Sequence, residues 1–537
     1  MTSVEGCKNK AYGHLAVMLL CFLLLSGCTN ANRSNQAETD STPDAVTATT
    51  APEPTTTAND TDSATTVLVD QNQPAESDTQ RTQLETPLIT HGPITGNVSD
   101  TSALLWARAN QPGTMQFELA ETDDFAEPLA PITVEVAQST DFTARASAEG
   151  LQPAQTYFYR VTLTVDDQTS EPVTGQFQTA PASDTAAPLS FVFSSCLGGQ
   201  NLCRNPENGW PIFDAMADEE PDFFLFTGDT VYVDTACSGE DNVPGAEGPY
   251  TDLEGFRTRY RYHLEDAGYA SFLAQTPVYV TWDDHEIIND FGGPAVSAIN
   301  ADLFTDGQQA FLEYWPVSTA VTGTGQIYRR ASYGELADFF ILDTRSYRDP
   351  NVAWDPDPNT LEPKTMLGPE QLAWLKAELA DSQATWKFVV TSVPLSYPTG
   401  FPLPQVDGRD GWADYTEHSG YETELMELVF FLSQQDLANV VFLTGDTHWP
   451  FAISYDPDRN ESIDLYEFGA SPLSAITLEP PDPPDPSFNP TVLYAEGTFM
   501  GDLFNFGQIA IDDDGGLTFR VIDWQGGERY SLTLQPE

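Results

Sequence analysis

The sequence predicts an α/β domain preceded by a small β-sandwich of the fibronectin or immunoglobulin type. From residue 186 to 537, nearly continuous apolar runs such as "LSFVFSS", "DFFLFT" and "NVVFLT" alternate with helical segments. Such runs are typical of sheet strands that are covered on both faces. Between residues 86 and 181, shorter alternating runs are separated by turn residues, which is typical of an antiparallel sandwich. The 537 residues also exceed what one hydrophobic core usually serves.

The first 85 residues predict an export signal followed by a tether. Lys8 and Lys10 precede the apolar run "LAVMLLCFLLL", which is short for a membrane span and is followed by "LSGC". This order resembles a bacterial lipoprotein signal, so residues 1–28 are predicted to be a signal peptide, with lipid attached to Cys28. Residues 29–85 are rich in Thr, Ala, Asp and Pro, and we predict a disordered tether. We therefore expect an exported protein that is lipid-anchored to the cell envelope; a plain secretory signal or an uncleaved anchor is the alternative.

The strongly negative net charge of the chain limits the kinds of partner that it is expected to bind. The chain has 81 acidic and 22 basic residues and a net charge of -59. Such a surface argues against nucleic-acid binding through general basic charge. We expect no specific nucleic-acid partner, a monomeric chain, and contact with a membrane only through the lipid.

Four of the predicted strands end in side chains that bind metals. These are Cys196 after "FVFSS", Asp229 and Tyr232 in "GDTVY", Asp283, Asp284 and His285 in "WDDHE", and Asp446 and His448 in "GDTHW". Each alone has a structural explanation, such as a buried thiol, a turn cap or a core aromatic residue. Functional groups in open α/β sheets gather at the carboxyl ends of strands, and carboxylates packed there would repel without a cation. Their co-occurrence therefore predicts a metal site.

The ligand types fall into two classes. The thiolate, phenolate and imidazole of Cys196, Tyr232 and His448 suit a transition metal, and the phenolate favours Fe(III). The carboxylates of Asp284 and Asp446 suit a hard ion such as Ca²⁺, Mg²⁺ or Mn²⁺. The sequence therefore predicts two different ions.

Asp229 and His285 complete this interpretation. Asp229 shares a strand-end loop with the tyrosine and is expected to bridge the ions. Two metals about 3.5–4 Å apart clamp an in-line displacement at phosphorus, and a metal-bound hydroxide is the expected nucleophile. His285 is then available to protonate the leaving alkoxide.

The motifs "SSC", "GDTVY", "WDDHE", "DTRSYR" and "GDTHW", in this order, resemble those of the PhoD-like alkaline phosphatases and phosphodiesterases of the metallophosphoesterase superfamily. "HGPITGNVSDTSALLWARA" resembles the start of the N-terminal β-sandwich of that family. The similarity spans about residues 88 to 525. It implies a four-layer αββα catalytic domain with iron and calcium in the active site.

The resemblance also implies a distribution of ligands between the ions. Iron falls on Cys196, Asp229, Tyr232 and His448, and calcium falls on Asp229, Asp284 and Asp446. Two features depart from the family pattern. No twin-arginine export signal precedes the apolar run, and the chain ends in strand-like sequence rather than in a closing helix. We therefore expect a more open site.

Arg345 and Asp283 are further candidates beside the metals. Arg345 in "DTRSYR" is a candidate for binding the substrate phosphate, and a salt-bridged arginine at a strand end is an equally good interpretation. Asp283 directly precedes a predicted calcium ligand.

The cysteine count predicts one disulfide bond. Two of the six cysteines lie in the signal and Cys28 carries the lipid, which leaves an odd number in an oxidising compartment. We predict that Cys203 and Cys237 pair and that Cys196 stays a thiolate ligand.

Three functions are compatible with the sequence. The main hypothesis is a metal-dependent phosphoesterase acting on phosphate mono- or diesters. The alternatives are a phospholipase-D-like phosphodiesterase and a non-catalytic surface-binding lipoprotein. No Ser-His-Asp elbow, Walker loop or dinucleotide fingerprint appears in the sequence.

Overall fold

A computed structural model describes residues 86–317, 325–357, 360–400, 409–414, 418–481 and 484–537. The predicted signal peptide, the lipidation site Cys28 and the predicted tether lie outside the described residues. All of these described residues fall within one compact unit. No helix within the described ranges combines the length and the apolar character that a membrane crossing needs.

Strands dominate the described residues. They are β1 (Ile89–Gly96), β2 (Ser102–Ala109), β3 (Gly113–Ala120), β4 (Ile132–Val136), β5 (Thr143–Glu149), β6 (Thr156–Val165), β7 (Gln168–Thr169), β8 (Val173–Gln178), β9 (Leu189–Ser194), β10 (Phe223–Thr227), β11 (Val278–Thr281), β12 (Arg329–Tyr333), β13 (Ala337–Ile341), β14 (Trp386–Val390), β15 (Val440–Thr444), β16 (Phe451–Tyr455), β17 (Leu465–Gly469), β18 (Pro490–Ala495), β19 (Asn505–Ile511), β20 (Leu517–Asp523) and β21 (Glu528–Leu534).

The helices lie between the later strands. They are α1 (Ile212–Asp218), α2 (Leu253–Leu264), α3 (Ala267–Gln275), α4 (Leu303–Tyr314), α5 (Gly368–Asp381) and α6 (Glu422–Gln434), with short 3₁₀ helices at Gln138–Thr140 and Gly293–Ala298. The helix predicted from "GPEQLAWLKAELADS" is α5, and Leu372, Leu375 and Leu379 form its buried face. The strands predicted at the end of the chain are β20 and β21.

Two large sheets carry the fold. The first has nine strands in the order β21-β20-β19-β9-β10-β11-β1-β2-β5, and the second has seven in the order β12-β13-β14-β15-β17-β16-β18. Strands β9, β10 and β11 run parallel in the first sheet, and β13, β14, β15 and β17 run parallel in the second. These parallel strands are the continuous apolar runs of the sequence, because both of their faces are covered.

The two sheets pack face to face, and helices cover their outer faces. Phe191 of the first sheet lies 5.1 Å from Phe339 and 5.4 Å from Phe388 of the second, measured between ring centroids. Helices α1 to α4 share a hydrophobic core with the outer face of the first sheet, and α5 and α6 share one with the second. The layer order is therefore helix, sheet, sheet, helix, and the predicted α/β fold class is confirmed.

A separate N-terminal sandwich domain is not confirmed. Strands β3, β4, β6, β7 and β8 form a sheet of their own, but β1, β2 and β5 continue the nine-stranded sheet through a parallel pairing of β1 with β11. Gly96 makes this pairing sterically feasible, since a Cβ atom there would lie 2.7 Å from the carbonyl oxygen of Val278. The predicted division of the chain near residues 181–186 stays a prediction.

Candidate metal centre

The metal-binding side chains follow the carboxyl ends of parallel strands in both sheets. Strands β9, β10 and β11 lead to Cys196, Asp229 and the pair Asp283 and Asp284, and β15 leads to Asp446. The Asp446 amide donates a hydrogen bond to Ser195 Oγ at 3.3 Å, which joins the carboxyl edge of the first sheet to that of the second. The predicted convergence of strand ends is therefore present, and it draws on both sheets.

The backbone is strained where the side chains are presented. Cys196, Asp229, Asp446 and His448 have φ angles of 64°, 50°, 62° and 62°. This left-handed region is uncommon for residues with a Cβ atom, and each such residue costs about 1–3 kcal/mol. The surrounding packing has to hold these conformations, because isolated chains avoid them.

Four donor atoms surround one point. Asp229 Oδ2 lies 3.4 Å from Cys196 Sγ and accepts a hydrogen bond from the Tyr232 hydroxyl at 3.0 Å. The same hydroxyl lies 3.0 Å from His448 Nε2. Donors that bind one ion at about 2.0–2.3 Å lie about 3.0–3.6 Å from one another. The predicted iron ligands therefore stand at the spacing that a single metal ion requires.

His448 is held in the orientation that a metal ligand needs. Its Nδ1 lies 2.5 Å from the carbonyl oxygen of Ile476, so Nδ1 carries the hydrogen and donates it. Nε2 is then free to face the tyrosine hydroxyl and an ion. Burial, with the charge of His285 adding to it, lowers the pKa of His448 to about 4 and keeps the imidazole neutral.

Carboxylates form the second part of the centre. Asp229, Asp283 and Asp446 bring one oxygen each within 4.8 Å of one another. One oxygen each of Asp229 and Asp284 and a ring nitrogen of His285 form a second group within the same distance. Asp283 Oδ2, Asp284 Oδ1 and Asp446 Oδ2 are buried and have no hydrogen-bond partner among the described residues. Orphaned buried oxygens of this kind are the atoms that a hard cation would satisfy.

Burial and mutual repulsion disfavour the charged forms of these acids. Burial raises the pKa of Asp229 and of Asp446 well above the usual value, and neighbouring aspartates raise both further. Burial and the charge of Asp229 likewise raise the pKa of the Cys196 thiol. Bound cations reverse this preference. The residues present therefore fit the metal ions that the sequence implied.

Arg345 forms ion pairs with buried carboxylates. Its side chain is fully buried, and its Nε donates to Asp283 Oδ1 at 2.6 Å. Its two terminal nitrogens donate to Asp410, one of them to Oδ1 at 2.7 Å. Burial alone would raise the pKa of Asp410, but Arg345 and Arg348 outweigh it and hold that pKa at about 2. Of the two interpretations of Arg345, the structure favours the salt-bridged one.

His285 and Glu286 fix the "WDDHE" loop against the "GDTVY" loop. The backbone amide of His285 donates to Asp229 Oδ1 at 3.2 Å, and the Tyr232 ring stacks on its imidazole with centroids 3.9 Å apart. Glu286 accepts hydrogen bonds from the amide of Thr230 at 2.6 Å and from the amide of Asp283 at 3.0 Å. These contacts join the two loops directly.

A disulfide bond joins the loop after β9 to the loop after β10. Cys203 follows β9 and Cys237 follows β10, and the structure joins them. Cys196 is the free cysteine among the described residues. The pairing agrees with the prediction and leaves the thiol of Cys196 at the metal centre.

Sequence reasoning missed three residues of the centre. Glu286 was visible inside the "WDDHE" motif but was not interpreted. Asp234 lies 2.8 Å from His285 Nδ1 and stands two residues after Tyr232, where only its closeness to a motif marks it. Asp410 carries no sequence signal at all, since it is one of many acids in a loop far from every motif.

Two protein-family models match this chain. The family model of the PhoD-like phosphatase matches residues 191–511, and that of the PhoD-like phosphatase N-terminal domain matches residues 72–181. The chain belongs to the PhoD-like phosphatase family. It is therefore a phosphoric ester hydrolase, and its acidic and histidine clusters are able to bind the metals on which this family depends.

Relatives and solved structures agree with this assignment. Alkaline phosphatase D of Bacillus subtilis (strain 168) is 28% identical over 407 residues, which cover 70% of this chain and 67% of that protein. A solved structure of PhoD superposes with a TM-score of 0.69 at 23% identity, covering 84% of this chain and 91% of that one. Purple acid phosphatase PPD1 from yellow lupin (Lupinus luteus) seeds gives 0.57 at 12% identity, covering 84% and 74%. The last two show a shared fold.

Arg345→Met tests the structural role of this arginine in the phosphatase. Because Asp283 would lose its arginine partner and Asp410 would keep only Arg348 as an ion-pair partner, we expect a loss of about 3–5 kcal/mol in the free energy of unfolding, measured by urea denaturation at equal metal content. Arg529→Met is the matched control, since it removes an exposed ion pair with Glu496 and should cost less than about 1 kcal/mol. Unchanged stability with a raised KM for phosphate esters would instead assign Arg345 to the substrate.

Proposed function

We propose that this phosphatase hydrolyses phosphate mono- or diesters at a dinuclear centre that holds one iron and one calcium ion. The observation that carries the proposal is the arrangement of donors around Asp229. One of its oxygens lies among a thiol, a phenol and an imidazole, and the same side chain lies within 4.8 Å of further carboxylates. A soft and a hard set of ligands that share one carboxylate suit two different ions.

Iron is proposed on Cys196, Asp229, Tyr232 and His448. The phenol and the thiol of this set are fully buried, and burial raises the pKa of Tyr232 well above its usual value. A phenolate in such a place needs a strongly charged ion, and Fe(III) is the ion that phenolate favours.

Calcium is proposed on Asp229 and Asp446 together with the "WDDHE" aspartates. The resemblance to the family favoured Asp284. Asp283, however, groups with Asp229 and Asp446, while Asp284 groups with Asp229 and His285. Each of the two aspartates has one buried oxygen without a hydrogen-bond partner in the described part of the chain, so both supply an oxygen to the hard ion.

The ions and the protein residues have different roles in the proposed reaction. The bound ions supply positive charge for the phosphoryl oxygens and activate water. His285 donates a proton to the departing oxygen of the ester. Tyr232 stacks on the His285 ring and limits its tilt, and the buried carboxylates hold their geometry without reorganisation when charge develops on phosphorus.

Activity tests this function directly. Protein loaded with iron and calcium should hydrolyse nitrophenyl phosphate or bis-nitrophenyl phosphate, and the ratio of the two rates gives the ester preference. Asp229→Asn should lose both ions and lower kcat more than about 100-fold, because both ligand sets share this residue. Asp252→Asn, a helix cap of α2, is the matched control and should keep metal and activity. Full activity after verified removal of all metal would contradict the proposal.

The identity of the first ion has an optical test. A tyrosinate bound to Fe(III) gives a charge-transfer absorption in the visible range, and Tyr232→Phe should abolish it while the protein stays folded. Tyr157→Phe, which changes a buried tyrosine of β6, should leave the band unchanged. Iron-loaded wild-type protein that shows no such band contradicts the assignment of Tyr232 as a ligand of Fe(III).

We also propose that the phosphatase is exported and anchored by lipid on Cys28. The "LSGC" sequence after a short apolar run supports this, and the disulfide between Cys203 and Cys237 suits an oxidising compartment.

Cys28→Ser should release the protein from membranes or leave its signal uncleaved. Fractionation of cells and mass spectrometry of the mature N-terminus measure this. Wild-type protein that carries no lipid and stays in the supernatant would refute the anchor.

A further inference from the structure

A cleft that takes no part in the proposed chemistry lies next to the segment that carries Cys196. Its volume is about 250 Å³. Its apolar lining includes Leu202, Trp210, Ile212, Leu473, Phe504 and Trp524. Four asparagines also line it, namely Asn201, Asn205, Asn208 and Asn242. Asp241 is the single charged side chain among the described residues of the lining, so the cleft combines aromatic walls with amide groups and almost no charge.

Two of the asparagines hold the rim of the cleft in place. Asn242 Nδ2 donates to the backbone oxygen of Asn201 at 3.0 Å, and Asn242 Oδ1 accepts the amide of Cys203 at 3.0 Å. Asn201 Oδ1 accepts the amide of Ser238 at 2.7 Å. The disulfide bond from Cys203 to Cys237 joins the same two loops covalently. The cleft is therefore formed before a ligand arrives, which lowers the entropic cost of binding.

The segments that line the cleft also hold two of the proposed iron ligands. The amide of Ser474, in the wall of the cleft, donates to the backbone oxygen of Cys196 at 3.0 Å. Two residues further along, the backbone oxygen of Ile476 accepts the Nδ1 hydrogen of His448. The cleft and the metal centre therefore share the same two backbone segments.

The lining of the cleft discriminates between classes of ligand. No lysine or arginine occurs among its described lining residues, so the cleft offers no cation to a further phosphate group. An alkyl chain would leave Nε1 of Trp210 unsatisfied, because this buried N–H has no acceptor in the described part of the chain. Asn205 and Asn208 are exposed at the mouth and supply further donors and acceptors. A neutral ring with an apolar face and hydroxyl groups at its edge suits all of these features.

We propose that this cleft binds a neutral sugar ring that forms one ester group of the substrate. The inference rests on the proposed function, because it places the phosphorus of the same molecule at the metal ions. The C–H face of the ring packs on Trp524 and Phe504, which are adjacent and partly exposed. Ring hydroxyl groups accept the Nε1 hydrogen of Trp210 and bond to the asparagine amides. The preferred substrates are then phosphodiesters in which one alcohol is a sugar and the other is the leaving group.

Diesters with the same leaving group isolate the contribution of the sugar. In one set, phosphate is esterified with nitrophenol and with the primary hydroxyl of glucose, galactose or N-acetylglucosamine. In the reference compound, methanol replaces the sugar. For the metal-loaded wild-type protein we expect kcat/KM to be about 10-fold higher with at least one sugar diester than with the methyl diester, mainly through a lower KM. Trp524→Ala should abolish this preference and leave the rate with the methyl diester unchanged, because a methyl group is too small to fill the cleft.

Direct binding provides a measurement that does not depend on activity. Methyl glycosides of the same sugars should give saturation-transfer NMR signals with the metal-loaded wild-type protein and lose them with Trp524→Ala. Asn208→Ala changes an exposed residue of the mouth and serves if the tryptophan variant unfolds; it should lower the sugar preference about 3-fold. Phe430→Ala is the matched control, since it removes an exposed aromatic side chain of α6 and should keep the full preference.

Three outcomes would overturn the inference. They are equal kcat/KM for the sugar and methyl diesters in the wild-type protein, a sugar preference that Trp524→Ala and Asn208→Ala both keep, and a stronger preference for a long alkyl alcohol than for any sugar. The last would assign the cleft to an apolar chain. Failure to hydrolyse any phosphate ester is a different result, because it refutes the proposed function, while the NMR signals still report whether the cleft binds a sugar.

Discussion

The carboxylates of Asp229, Asp283 and Asp446 lie within 4.8 Å of one another, and the side chains of Asp229 and Asp283 are buried. Like charges so placed repel strongly, and burial adds a desolvation cost for each of them. On one side of the cluster the protein itself offsets the charge of Asp283, because Arg345 and Ser392 both donate hydrogen bonds to its Oδ1 at 2.6 Å. Its Oδ2 has no partner in the described part of the chain. The other side of the cluster is where metal ions would have to balance the charge.

In the neighbouring aspartates, too, the protein binds one carboxylate oxygen and leaves the other for an ion. Asp284 accepts the amide of Asp290 with Oδ2 and leaves Oδ1 unpartnered within the described ranges. Asp229 accepts the amide of His285 with Oδ1 and turns Oδ2 toward the thiol and the phenol. One oxygen of each side chain is anchored by the fold, so the other is positioned before any ion arrives. Preorganised ligands of this kind reduce the reorganisation that metal binding and catalysis would otherwise require.

The fold class and most of the candidate metal-binding residues were predictable from the sequence, because the patterns that mark them are local. A continuous apolar run predicts a strand that is covered on both faces. Because parallel strands end at the same edge of a sheet, the residues after β9, β10, β11 and β15 are then expected at the carboxyl edges of the sheets. Ligand chemistry also separates a thiol, phenol and imidazole from carboxylates without any coordinates.

What the sequence did not reveal depends on contacts between distant segments. Asp410 reaches Arg345 across 65 positions, and no local pattern distinguishes it from the many other acids of this chain. The pairing of β1 with β11 brings Gly96 against Val278, again far apart in the sequence, and it joins β1, β2 and β5 to the nine-stranded sheet. Alternation of apolar residues predicts that β1 is a strand, but it does not predict which strand pairs with β1.

The strained ligand residues show why such distant contacts matter for chemistry. Cys196, Asp229, Asp446 and His448 all adopt left-handed backbone conformations that a short loop would leave spontaneously. The restraints come from elsewhere: the Ile476 carbonyl on His448, the amide of His285 on Asp229, and the Ser195 hydroxyl beneath Asp446. The motifs therefore supply the donor atoms, while the packing of two sheets against each other supplies the geometry. A chain with the same motifs and a loosened second sheet would keep its ligands and lose the distances that let them share an ion.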